Sequence, residues 1–331
     1  MKLLIMLRDA FYEANPKFIE DAKQLGEVKL LYTDHGIGKE ELKKEVKDVD
    51  IIIVAVVKID SEVIEAAPNL KYIIKYGAGY DNIDVDYAYE KGILVTNAPG
   101  VNAQSVADLA FGLMLSAARN IPKKDQEIKS GNWELSMGNE IYQKKLGIIG
   151  FGSIAKAIAK RAIGFDMETI VYTNYPNQTV ADPLNITFVD KEELFKTADY
   201  LIIATSLNDK NRHLINRETL SLMKETAYII NISRGPLVNE IDLVKALEEK
   251  KIKGAALDVF EVEPPINDLP GRKEIVATPH IGGATFESIK RVGDLSIANI
   301  KKFVLKEELE FVVVPKRGTR GLTPCPSHKK I

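Results

Sequence analysis

The feature that most constrains this chain is a series of short, largely apolar runs. They fall at residues 28–32, 51–57, 72–76 and 93–96, and again at 146–149, 169–172, 200–204, 228–232 and 255–259. A strand with one wet face alternates apolar and polar side chains, whereas a strand covered on both faces need not. The runs therefore read as buried strands of parallel sheet. Between them lie helix-like stretches such as 191–197 and 240–250. Strand–helix alternation over most of the chain predicts an α/β protein with two doubly wound, Rossmann-like domains. At 331 residues the chain is too long for one compact core and comfortable for two.

Two long helical patterns interrupt the series. One spans residues 102–120 and continues through Ile128 past Pro122; the other spans 286–305. They read as the crossings between domains. This predicts a first domain at residues 1–98, completed by 285–315, with a second domain inserted at 99–284. The tail, 316–331, holds Gly318, Gly321, Pro324 and Pro326 and little apolar content, so poor order is expected there. The opening apolar stretch stops at Arg8-Asp9. That is too short for a signal-peptide core or a bilayer span, and it reads as a buried first strand.

Charge and cysteine content narrow the partners. A net charge of -2 gives no electrostatic reason to expect nucleic acid or a membrane surface. The only cysteine, Cys325, rules out an internal disulfide and a cysteine-based metal site. Both points fit a reducing, cytoplasmic home without a metal.

The strand at 146–149 runs into Gly150-Phe151-Gly152-Ser153-Ile154-Ala155, and a helix is expected to follow over 156–163. In a G-x-G-x-x-A turn the first glycine permits the tight bend. The second lets backbone approach a pyrophosphate, and the small third residue lets helix and strand pack closely. The helix start offers unpaired N–H groups and a partial positive charge to the phosphates. Without a strand before it and a helix after it, such a turn would be only a tight connection; here both are expected.

Three polar residues follow predicted strands or turns of the inserted domain. Arg234 lies in Asn231-Ile232-Ser233-Arg234-Gly235, Glu263 in Phe260-Glu261-Val262-Glu263-Pro264, and His280 in Thr278-Pro279-His280-Ile281-Gly282. Ligands of open α/β sheets bind beyond the carboxyl ends of the strands. Reducing a keto acid needs a cation on the carboxylate and carbonyl, a task suited to a forked arginine. It also needs a proton donor that titrates near neutrality, and a carboxylate to orient that donor. Taken singly, each residue is an ordinary surface or turn residue. Together, behind a dinucleotide turn, they form a catalytic set.

With these motifs in place, the chain resembles the D-isomer-specific 2-hydroxyacid dehydrogenases, in particular the glyoxylate and hydroxypyruvate reductases. The matching stretches are Gly77-Ala78-Gly79-Tyr80-Asp81-Asn82, Thr96-Asn97-Ala98-Pro99-Gly100, Val106-Ala107-Asp108-Leu109-Ala110, the glycine turn, and the three segments around Arg234, Glu263 and His280. The resemblance implies that Arg234 binds substrate, His280 is the acid/base and Glu263 its partner. It gives the nicotinamide carboxamide to Asp258 and the substrate carboxylate to backbone at Gly77, Ala78 and Gly79. Further cofactor contacts are implied at Ser153, Ile154, Thr205 and Ile232, besides Gly150 and Gly152. A homodimer through the cofactor domain is also implied, which would give the apolar stretch 102–120 a partner. Departures are Ala155 for a glycine, Asp166 where a helix-ending glycine is usual, Ser206 for a proline, and Thr173 for the ribose-binding acid. Two alternatives share the fold: a formate- or phosphite-type dehydrogenase, and a nucleotide-sensing binding protein. Formate oxidation releases no alcohol proton, so the Arg–Glu–His set favours a keto acid.

Substrate and cofactor are partly legible. Relatives acting on phosphorylated acids present an arginine near Val54; its absence tilts the reading toward small unphosphorylated acids such as glyoxylate or hydroxypyruvate, although Lys75 offers one cation. The acid expected after the strand at 169–172 is replaced by Thr173-Asn174. Such an acid accepts bonds from the ribose of NAD and repels the extra phosphate of NADP. Without it, discrimination against NADP is lost, and no arginine follows to attract the phosphate strongly. The expectation is use of either NAD or NADP, with NADPH serving at least as well as NADH. Thr173→Asp should then shift the kcat/KM ratio toward NADH, chiefly by repelling the 2′-phosphate. An unchanged ratio in that mutant would place the ribose pocket on other residues.

Overall fold

A computed structural model of the protein describes residues 1–315; the tail 316–331, with Cys325, lies outside the described residues. The chain divides into two compact units. One comprises Met1–Asn102 with the chain from Ala284, and the other is Ala103–Gly283.

The first unit holds strands β1 (Lys2–Leu7), β2 (Glu27–Tyr32), β3 (Ile51–Val54), β4 (Tyr72–Lys75) and β5 (Leu94–Thr96). They form a five-stranded sheet in the order β2-β1-β3-β4-β5. All four pairings are parallel. Period-two geometry sends alternate side chains to opposite faces, and here both faces are covered. From β1, Leu3, Ile5 and Leu7 join Ile51 and Ile53 on one side. Leu4 and Met6 join Ile52 and Val54 on the other. That double burial is why the runs lack polar alternation. β2 differs from expectation because it is an edge strand. Glu27, Lys29 and Tyr32 are exposed, and only part of each remaining side chain is covered. The run at 51–57 also ends early, at Val54, since the chain then leaves the sheet. The helix Phe286–Leu305 returns to this unit and buries Ile289, Val292, Ile297 and Ile300 in its core.

The second unit holds β6 (Lys145–Ile149), β7 (Glu168–Tyr172), β8 (Ile186–Phe188), β9 (Tyr200–Ile203), β10 (Tyr228–Asn231), β11 (Gly254–Leu257) and β12 (Ile275–Ala277). Their order is β12-β11-β10-β9-β6-β7-β8, again parallel throughout. The order reverses between β6 and β9, the topological switch point at which such sheets bind ligands. The edge strands β8 and β12 carry three residues each, too few to register as periodic runs.

The long pattern from residue 102 is two helices, Ala103–Arg119 and Ile121–Lys129. Asn120 breaks it with φ 55°, a left-handed conformation asparagine tolerates, and Pro122 enters the first turn of the second helix. The first helix is covered by its own unit: Val106, Phe111, Leu113 and Met114 sit in the core. The second buries nothing. Asp166 adopts φ 49° after the helix Ser153–Ala162 and a short 3₁₀ turn, taking the conformation its glycine-like position requires. Among the described residues, no helix is long and apolar enough to cross a membrane. Among them, too, no cluster of three His, Cys, Asp or Glu is placed to hold a metal ion.

Candidate active site

The glycine turn leaves β6 at the switch point. Gly150 N donates to Tyr172 O at 2.9 Å, and Gly150 has φ 102°. A Cβ there would lie 2.6 Å from Ala204 O, at the end of β9. Only glycine fits. Around Gly152, by contrast, an added Cβ would meet no atom within 4 Å. Gly152 is also the N-cap of the helix Ser153–Ala162, and no side chain caps that end. Open space before uncapped N–H groups, Ser153 and Ile154 among them, suits a pyrophosphate. Thr173 follows β7 and is half-buried, with Oγ1 accepting from Tyr175 N at 3.2 Å, and Asn174 is exposed. The stretch 172–181 carries no carboxylate. Thr205 borders Gly150 and accepts a hydrogen bond from Ser233 Oγ. Ile232 is buried in the core of the unit.

Arg234 is set by the turn after β10. Asn231, fully buried, accepts from Ser233 N at 3.1 Å and donates through Nδ2 to Arg234 O at 2.9 Å. Arg234 Nη1 donates to Ser233 O at 2.7 Å. Gly235 is required next, because a Cβ there would lie 1.9 Å from the backbone of Phe260. This close approach brings the Arg234 turn against the loop that carries Glu263.

His280 is set from behind by Asp258, which follows β11 and is only 1% exposed. Its Oδ1 accepts from Thr278 Oγ1 at 2.6 Å and Ile281 N at 2.8 Å; Oδ2 accepts from Gly282 N at 2.8 Å. Bonds to a charged acceptor contribute roughly 1.5–3 kcal/mol each, enough to hold His280 in its left-handed conformation, φ 53°. His280 N also donates to Asp258 O at 2.9 Å. The ring then reaches Glu263, with Nδ1 and Oε2 2.8 Å apart. An ionised carboxylate only accepts, so Nδ1 carries the hydrogen in this contact. Glu263 Oε1 accepts from Phe260 N at 3.1 Å. Burial works against its charged form. The His280 hydrogen bond and charge, the Phe260 N–H and the Arg234 charge outweigh it and hold the carboxyl below its ordinary value.

These three side chains thus converge from three separate strand ends, and comparison with known proteins gives the arrangement a family. Residues 111–282 match the family described as D-isomer specific 2-hydroxyacid dehydrogenase, NAD binding domain. The chain belongs to the D-isomer specific 2-hydroxyacid dehydrogenases. It is 43% identical over 329 residues to D-3-phosphoglycerate dehydrogenase of Methanocaldococcus jannaschii, covering 97% of this chain but only 62% of that protein. It is 40% identical to glyoxylate reductase of Pyrococcus horikoshii, over 92% of this chain and 93% of the relative. Among solved structures, D-lactate dehydrogenase of Aquifex aeolicus, complexed with NAD and lactic acid, superposes with TM-score 0.80 at 27% identity, covering 92% and 95% of the two chains. As a member of the family this 2-hydroxyacid dehydrogenase is an NAD(P)-dependent oxidoreductase acting on CH–OH donors.

Gly77, Ala78 and Gly79 belong to the other unit, on the loop after β4. Gly77 N donates to Lys75 O at 2.9 Å, and Ala78 O accepts from Asn97 Nδ2 at 2.6 Å. Sequence reading did not find the residues that hold the turns and loop of Arg234, Glu263 and His280: Thr278, Asn231 and Glu240. Their signal is weak, since a threonine before proline or a glutamate at a helix start is ordinary until its burial is known.

The depressed Glu263 carboxyl has a consequence for stability. It contributes stability that is fully present above its ordinary value of 4.5 and is lost as pH falls through the lower folded value. Glu263→Gln should therefore melt below the wild type near neutral pH, with the gap closing as pH falls below the ordinary carboxylate range. Melting curves with a gap independent of pH would show that the carboxylate charge is not held by these contacts.

Proposed function

We propose that the enzyme reduces a small, unphosphorylated 2-keto acid, of the glyoxylate or hydroxypyruvate kind, to its D-2-hydroxy acid. The observation that carries this reading is the Glu263–His280 contact at 2.8 Å, on a turn held by buried Asp258, beside the Arg234 turn. Bound NAD(P)H supplies the hydride. Arg234 binds the carboxylate and polarises the carbonyl as hydride reaches its carbon. His280 gives the proton from Nε2 to the carbonyl oxygen, while Glu263 orients the ring and stabilises its positive form. The Asp258 oxygens already accept three bonds from the turn 278–282, so any contact with the carboxamide would be added to a structural duty.

Two features support the substrate class. Val54 is wholly buried and offers no charge. Lys75 Nζ is engaged by Ala55 O and by Asn82 Oδ1, the latter at 2.7 Å, which occupies it within the loop. The relative in Pyrococcus horikoshii bears the name glyoxylate reductase. The absence of an acid at Thr173-Asn174 supports NADPH as a cofactor at least equal to NADH. The test is a panel of 2-keto acids, with and without a phosphate group, assayed with both reduced cofactors. His280→Ala should lower kcat on the best acid by about 10²- to 10⁴-fold while leaving cofactor affinity nearly unchanged. Near-normal turnover in that mutant, or preference for the phosphorylated acids, would overturn the reading.

We also propose a homodimer formed through the second unit. Its support is a run of large apolar side chains that this chain does not cover: Ile121, Ile128, Trp133, Leu135 and Met137. The last three are 91%, 93% and 85% exposed. Large apolar side chains left exposed along one segment suit an association site. The expected contact is therefore the helix Ile121–Lys129 and the strand-free arm after it, rather than the helix Ala103–Arg119. Trp133→Glu should convert the dimer to monomer in light scattering; a wild-type monomer, or a mutant dimer of equal strength, would refute this surface.

A further inference from the structure

Behind the reactive pair lies a second carboxylate cluster that the proposed chemistry does not use. Glu240 opens the helix Glu240–Glu248, capped by Asn239, and is 8% exposed. A carboxylate in the first turn is favoured by the helix dipole, which allows this one to be buried. Its Oε1 accepts from Glu261 N at 2.7 Å, and its Oε2 accepts from Asn267 Nδ2 at 2.7 Å. The contact is returned, since Glu240 N donates to Glu261 Oε1 at 3.3 Å. Glu261 Oε1 also lies 3.0 Å from His213 Nε2. Glu240 thus grips the 261–267 loop on both sides of Glu263. Gly235 lies against the same loop at Phe260. Glu263 itself has one hydrogen bond to its own loop, from Phe260 N, and a side chain that is one-third exposed. Its reach to His280 depends on where the loop is held.

We infer that Glu240 is a positioning residue for the acid–base pair, acting through the loop to keep the Glu263 carboxylate at His280. The inference rests on the proton-transfer role proposed above for Glu263 and His280. A displacement of about 1 Å in a catalytic group costs on the order of 10² in rate, so loss of a two-sided grip is measurable.

The test is a double-mutant cycle on the full-length enzyme, read as kcat and KM for the best keto acid and as the Kd of reduced cofactor by fluorescence. Glu240→Ala should lower kcat by about 10²-fold, with KM and cofactor Kd changed less than about threefold. Glu240→Gln keeps an acceptor for Glu261 N and should recover most of that loss. In a Glu263→Gln background, Glu240→Ala should cost less than about threefold, because the group it positions is already gone. Asn267→Ala, at an exposed site, removes one arm of the grip without risking the fold. It should give a smaller kcat loss that also vanishes in the Glu263→Gln background. Equal losses in both backgrounds, or no loss in either variant, would overturn the positioning role. Full activity in Glu263→Gln alone would instead overturn the acid–base reading, and this inference with it.

Discussion

Parallel strands buried on both faces expose their polar backbone at two edges only, and all their carboxyl ends lie on the same edge. In the seven-stranded sheet every pairing is parallel, so every loop that follows a strand emerges on one side. The glycine turn after β6, the Arg234 turn after β10, Asp258 after β11 and His280 after β12 therefore share one rim, although they are spread over more than a hundred residues of chain. Chemistry at this site is a consequence of that common polarity. The apolar burial that enforces it comes from side chains far from any reacting atom.

At the rim, precision is supplied by groups that touch neither hydride nor proton. Asp258 spends a buried charge on a single turn, satisfied by three hydrogen bonds from Thr278, Ile281 and Gly282. Asn231 does the same with neutral bonds for the Arg234 turn. Glu240 grips the loop between them. Buried polar groups are costly when unpaired and rigid when fully paired. Each of these three holds one loop of the rim through its own hydrogen bonds.

Much of this was legible in advance, and for identifiable reasons. β1, β3, β4, β6, β9 and β10 announced themselves as apolar runs because two cores press on them. β8 and β12 were missed because an edge strand can be very short, and β2 was found but read as buried on both faces, which an edge strand is not. Asn120 was read through as helix because its neighbours keep helical spacing on either side. The glycine turn was legible because close packing of backbone on backbone, as at Gly150 against Ala204, admits no substitute. Glu240 was not, since a carboxylate in a first helical turn looks the same whether solvated or buried.

The sequence alone determined the parallel α/β architecture and the glycine turn and put forward Arg234, Glu263 and His280, because those depend on local periodicity and on residue chemistry. Only the tertiary structure decided that the ring of His280 meets Glu263, that Asp258 holds the turn from beneath, and that Gly235 must lie against Phe260. Those contacts join segments about 17 to 25 residues apart. They are set by the register of strands and the burial of their loops, which no window of sequence encodes.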